Sequence, residues 1–109
     1  MAYDDGLAEL MRDDLSDIDG ISEKKMFGGL CFLLHGHMVC GVHQGGGMAR
    51  VGKAREAEAL QIDGTAPLSF TGRPMGGMID IDEDLIGDDQ RRGQVIALAL
   101  TNAQSLPPK

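Results

Sequence analysis

Apolar residues recur at Leu7, Met11, Leu15 and Ile18, at steps of four, four and three, and Ala8 and Leu10 widen the stripe. That spacing belongs to a helix with one buried face, so residues 4–18 are expected to be helical. Asp4 or Asp5 stands where a side chain caps the first free backbone N–H groups, and Asp19-Gly20 ends the pattern. From residue 22 the period shortens. Residues 22–27 form a first expected strand, closed by Gly28-Gly29. Leu30 to Leu34 and His37 to Val42 form two more, on either side of His35-Gly36. A two-residue hairpin loop of type I′ needs positive φ at both central positions. Glycine meets that need at position 36, and histidine is among the residue types that tolerate it.

Gln44-Gly45-Gly46-Gly47 reads as a flexible loop, and residues 48–52, "MARVG", offer a fourth short strand. Residues 53–61 are good helix formers. Leu68 to Phe70 is a candidate strand, "TGRPMGG" a turn-rich passage, and Met78 to Ile81 a further strand. Asp88 or Asp89 caps a last helix running to about Ser105, with Val95, Ile96, Leu98, Ala99, Leu100, Ala103 and Leu106 as its apolar set, and Pro107-Pro108 stops it. Hairpin-linked strands with a helix at each end and a short one between imply an α+β domain: two layers, the sheet antiparallel.

Counting back from a turn at His35-Gly36 pairs Leu34 with His37, Leu33 with Met38, Phe32 with Val39 and Cys31 with Cys40. The two cysteines are then expected side by side on one face. Cys31, Leu33, Met38, Cys40 and Val42 make that face apolar, and Leu30, Phe32, Leu34 and Val39 make the other apolar too. A half-solvated antiparallel sheet alternates apolar with polar residues, so something must cover the second face: a helix of the same chain or another subunit. A homodimer is expected on that ground.

Composition narrows the chemistry. The chain has 109 residues, so one domain spanning 1–109 is expected. Aromatic residues make up 4%, and seven methionines are available to fill an aliphatic core. Net charge is −7 with no basic run, which argues against direct nucleic-acid binding, since that affinity comes from Lys and Arg on phosphates. The acidic N-terminus does not read as a signal peptide, and the longest apolar run, Leu30 to Leu34, is too short to cross a bilayer. The chain is expected in the cytoplasm.

There Cys31 and Cys40 read as small buried hydrophobes, with a redox pair as the alternative. The three histidines do not gather with them into a set of metal ligands, so neither a metal nor another cofactor is expected. "IDIDED", Ile79 to Asp84, reads as a strand with a polar face rather than a cation loop. The glycine run at 45–47 lacks the Gly-Lys-Ser/Thr ending of a phosphate loop, and no Ser-centred catalytic motif is present. Lys24, Lys25, Arg50 and Arg73 form a candidate anion-binding spot, because Arg suits phosphate and carboxylate. Pairing with the chain's own acids is the competing reading.

Met26-Phe27-Gly28-Gly29, Arg50-Val51-Gly52 and Gly72-Arg73-Pro74-Met75, in that order, together with "SLPPK" at the end, resemble the TfoX N-terminal domain family, also called Sxy-like. The resemblance implies a secretion-chaperone-like α+β fold. Its named members are bacterial regulators of competence for DNA uptake that act on transcription through partner proteins. It brings no catalytic residues, so a stand-alone, non-enzymatic regulatory domain with a protein partner is expected. The chain departs from the family's pattern at Val95, where an aromatic is usual, and at Gly45 to Ala49, in place of an acidic and apolar turn.

Overall fold

A computed structural model describes residues 4–26, 29–69 and 74–106. The order of elements is α1 (Asp5–Asp14), β1 (Ile21–Met26), β2 (Gly29–Leu34), β3 (His37–His43), β4 (Gly46–Arg50), α2 (Lys53–Ala59), β5 (Thr65–Ser69), β6 (Pro74–Ile81), α3 (Glu83–Gly87) and α4 (Asp89–Gln104). The six strands form one antiparallel sheet in the order β1-β2-β3-β4-β6-β5. Four strands run as a meander. The chain then leaves through α2 and returns so that β6 pairs with β4 and β5 takes the far edge. α1, α3 and α4 pack on the sheet, and α2 lies beside β6 and α4. The expected α+β architecture is what the chain adopts.

The helices begin where side chains can satisfy free backbone donors. Asp4 Oδ1 accepts from the N–H groups of Gly6 at 2.8 Å and Leu7 at 3.2 Å. Asp88 Oδ1 accepts from Gln90 and Arg91 at the start of α4. Such caps are worth about 1 kcal/mol each. α1 stops at Asp14, short of the expected residue 18. Leu15 and Ile18 continue as hydrogen-bonded turns, and Leu15 still reaches the core at 2% exposure.

The turn at His35-Gly36 is as expected, with φ of 50° and 87°. Three other passages differ from expectation. Gly46 and Gly47 are not loop: they open β4, paired with His43 and Val42, and leave Gln44-Gly45 as the turn. β5 starts at Thr65 and β6 already at Pro74, inside the passage expected to be turns. "IDIDED" is divided between two elements. Ile79 to Ile81 end β6, while Asp82 caps α3 by accepting from the Leu85 N–H at 2.8 Å. Glu83 and Asp84 then sit at the positive end of that helix.

The main core lies between the sheet and the helices. Phe32, Met11, Leu15, Ile79, Ile81, Leu85, Ile86 and Val95 are among its fully buried members. A second, smaller cluster of Cys31, Met38, Met48, Leu68 and Met78, with Leu33 against it, occupies the other face. These five are 0–7% exposed in the single chain. The centre of that face is therefore buried within the single chain.

Candidate functional site

The register between β2 and β3 shifts after the first two pairs. Leu34 faces His37 and Leu33 faces Met38, but Phe32 faces Cys40 and Cys31 faces Gly41. Val39 is the extra residue of a β-bulge, which moves everything beyond it by one position and one face. Val39 and Cys40 both enter the main core, while Cys31 joins the methionine cluster on the opposite face. The expected side-by-side cysteines are thus separated by the sheet itself. Both are free thiols. Burial pushes the Cys31 thiol up to about 11 and the Cys40 thiol higher still, which keeps both protonated and poor nucleophiles at neutral pH.

The same bulge sets His37 and His43 on opposite faces of the sheet. His37 is nearly buried on the side of the main core, with His43 on the other side. His43 Nε2 lies 2.7 Å from Asp80 Oδ1, and its Nδ1 accepts from the Gly45 N–H at 3.1 Å. The ring thus bridges the Gln44-Gly45 turn to β6. His35 sits in its turn with the ring against Gly20. Among the described residues no three His, Cys, Asp or Glu side chains converge as a metal site.

Of the candidate anion-binding residues, the three that are described, Lys24, Lys25 and Arg50, are not brought together. Lys24 pairs with Cys31 and Lys25 with Leu30, so adjacent side chains leave β1 on opposite faces. Arg50 is exposed at the end of β4, on the face of Lys24 but three strands away, about 14 Å at ordinary strand spacing. Arg73 lies outside the described residues, as do Phe27, Gly28, Phe70, Gly72 and Pro107-Pro108. Met26, Pro74 and Met75 take their places in β1 and β6.

Arg50-Val51-Gly52 has a different task. The N–H groups of Val51 and Gly52 both donate to the Gly77 carbonyl, at 2.9 and 3.0 Å. The Gly77 N–H donates to Glu56 Oε1 at 2.7 Å. A Cβ on Gly52, which has φ of 86°, would lie 2.4 Å from Asn102 Oδ1. These glycines let the exit of β4, the start of α2 and the body of β6 cross at backbone contact, so this stretch reads as a packing knot.

What the structure gathers instead is a seam between α1 and α4. Its anchor is Arg92, 4% exposed. Arg92 Nε donates to Asp14 Oδ2 at 2.7 Å, Nη2 to Asp89 Oδ1 at 2.8 Å and Nη1 to the Ile86 carbonyl at 2.7 Å. One guanidinium thereby joins the end of α1, the end of α3 and the first turn of α4. Its hydrogen bonds to the Asp14 carboxylate outweigh burial and hold the guanidinium more firmly protonated. Beside it, Arg12 grips Glu23 through two hydrogen bonds of 2.6 and 2.7 Å and lies over the Phe32 ring, fastening α1 to β1. Those bonds hold the Glu23 carboxyl below the usual range.

Two hollows follow one another along this seam. The first, about 640 Å³, has Leu10, Ile96, Ala97 and Leu100 on its apolar walls and Asp13 at its rim. The second, about 430 Å³, lies past the end of α1, lined by Asp17, Ile18 and Asp19 of the turns that follow it, by Leu34 and His35 of the hairpin, and by Ala103, Gln104 and Leu106. Sequence reasoning found both helices but not this seam. The available signals were an arginine at the start of an apolar helix and the unusual density of Asp in residues 13–19.

No helix among the described residues is long and apolar enough to cross a membrane. No match was found among curated proteins or among solved structures. The family model of the TfoX N-terminal domain matches residues 13–103. With its strands, packing knot and both seam-forming helices inside or overlapping that span, the chain belongs to the TfoX N-terminal domain family.

Proposed function

We propose that this chain is a regulatory protein-interaction domain, working in the cytoplasm without catalysing a reaction of its own. The observation that carries the reading is the open seam between α1 and α4, a surface with apolar walls and an acidic rim. Helix-lined grooves of this kind are a recurrent way for one protein to hold a segment of another. The chemistry nearest at hand points the same way: the thiols are buried and protonated, and both ring nitrogens of His43 are engaged within the fold. The family resemblance directs the search for a partner to the control of competence for DNA uptake, a role in which the domain would act on transcription through another protein.

The test is chemical crosslinking in the native cell, followed by recovery of the tagged chain and mass spectrometry, run beside a turnover screen of the purified domain on phosphate and acyl esters. A protein partner recovered in near-equal amount, with no turnover, is the expected outcome. Sustained turnover of an ester, or no crosslinked protein at all, would contradict the reading.

A further inference from the structure

The seam carries more than an undefined docking role. Along α4 its wall is made by Gly93, Ile96, Ala97, Leu100, Ala103 and Gln104, which recur at three and four residues and so lie on one helix face. From first to last this wall is about 16 Å long, three helical turns. Gly93 and Ala97 keep it low, and a Cβ on Gly93 would meet nothing within 4 Å among the described residues.

The opposite bank is acidic. Asp13, Asp14, Asp17 and Asp19 follow one another along it, and Asp89 faces them from α4. Of these five, only Asp14 and Asp89 have a cationic partner among the described residues, and they share it in Arg92. Asp13, Asp17 and Asp19 keep uncompensated negative charge beside an apolar floor. Charge decides among the occupants. A second copy of this chain, a nucleic acid or an anionic membrane would each bring more negative charge to a protein that already carries −7. A cationic segment removes the repulsion.

We propose that the seam between α1 and α4 binds a basic amphipathic α-helix of a partner protein, its apolar stripe resting on Ile96, Ala97 and Leu100 and its Lys or Arg side chains on Asp13 and Asp17. The proposal rests on the reading that the domain acts by binding a protein, and it names the chemistry of that partner. The α4 wall beside the two hollows is about as long as three turns of such a helix. A helix laid in it contributes anchors at every third or fourth position.

The experiment is selection from a displayed library of helical peptides that share a leucine stripe but carry randomised Lys, Arg, Glu, Asp and Gln on the flanks, with the whole chain as target. Enriched peptides are expected to be rich in Lys and Arg. Ala97→Arg, at an exposed helical position, is expected to weaken their binding about ten-fold or more, and Asp13→Lys combined with Asp17→Lys to do the same. Ala54→Arg, the same change on the exposed face of α2, is expected to leave binding unchanged. Higher salt should lower the affinity of the parent protein more than that of the Asp13→Lys, Asp17→Lys variant. Enrichment of acidic or neutral flanks, or no enrichment, overturns the proposal. So does binding that survives Ala97→Arg in a protein whose circular dichroism matches the parent; that result locates the interaction on another face and leaves the broader binding role standing.

Discussion

Arg92 has few substitutes. A lysine in its place keeps one charge but cannot reach Asp14, Asp89 and the Ile86 carbonyl together. A leucine leaves that carbonyl and the half-buried Asp14 without their donor. Removing one partner of such a buried network costs about 3 kcal/mol. Urea unfolding is expected to show a loss of that size for Arg92→Leu and a smaller one for Arg92→Lys; a loss below about 0.5 kcal/mol for the leucine variant would mean that the guanidinium does not hold the seam. The cysteines give a second prediction at this scale. With its pKa near 11, Cys31 is ionised in about one molecule in a thousand at pH 8, and Cys40 less. Alkylation of the native protein at that pH is expected to be slower than in urea by two orders of magnitude or more, and mild oxidant is expected to leave both thiols free. An intramolecular disulfide formed without unfolding would contradict the placement of the two sulfurs on opposite faces.

Elements were legible from the sequence where a period ran long enough. The stripe of α1, the turn at His35-Gly36 and the apolar set of α4 each correspond to what the chain forms. The Val39 bulge was not legible, because counting back from a turn presumes one partner per residue and a bulge breaks that count. The only trace was a run of apolar residues from Met38 to Cys40. Five-residue α3 is too short to show a period, with just Leu85 and Ile86 buried. Gly46 and Gly47 read as loop because glycine is a turn former. In the fold, a Cβ on Gly47 would stand 2.6 Å from the Gly41 carbonyl oxygen and 2.9 Å from Ile86 Cδ1, so glycine there allows α3 to close on the sheet. Two alanine substitutions separate these meanings. Gly47→Ala is expected to cost about 1–3 kcal/mol by crowding a packed contact. Gly93→Ala, with open space around it, is expected to stabilise the chain by about 0.5–1 kcal/mol and raise Tm by a few degrees. Equal effects of the two would refute the packing described for both sites.

At the scale of the molecule, apolar clusters lie on both faces of the sheet, and Asp13, Asp17 and Asp19, which have no cationic partner among the described residues, line the hollows beside α4. The α1–α4 seam was out of reach of sequence reasoning because its two walls are distant in the chain: the Asp14–Arg92 ion pair spans 78 residues. Lys24 and Lys25 part for the converse reason: they are neighbours in sequence, and strand alternation sends neighbours to opposite faces. The proposed meeting of the domain with its partner at this seam is tested by site-specific photocrosslinking in the native cell, with the crosslinker placed in turn at Ala97 in the seam, Ala54 on α2 and Arg50 on the sheet. One protein adduct is expected, formed from position 97 and attached through a segment rich in Lys and Arg. Adducts that form only from position 54 or 50, or none from position 97, would contradict it.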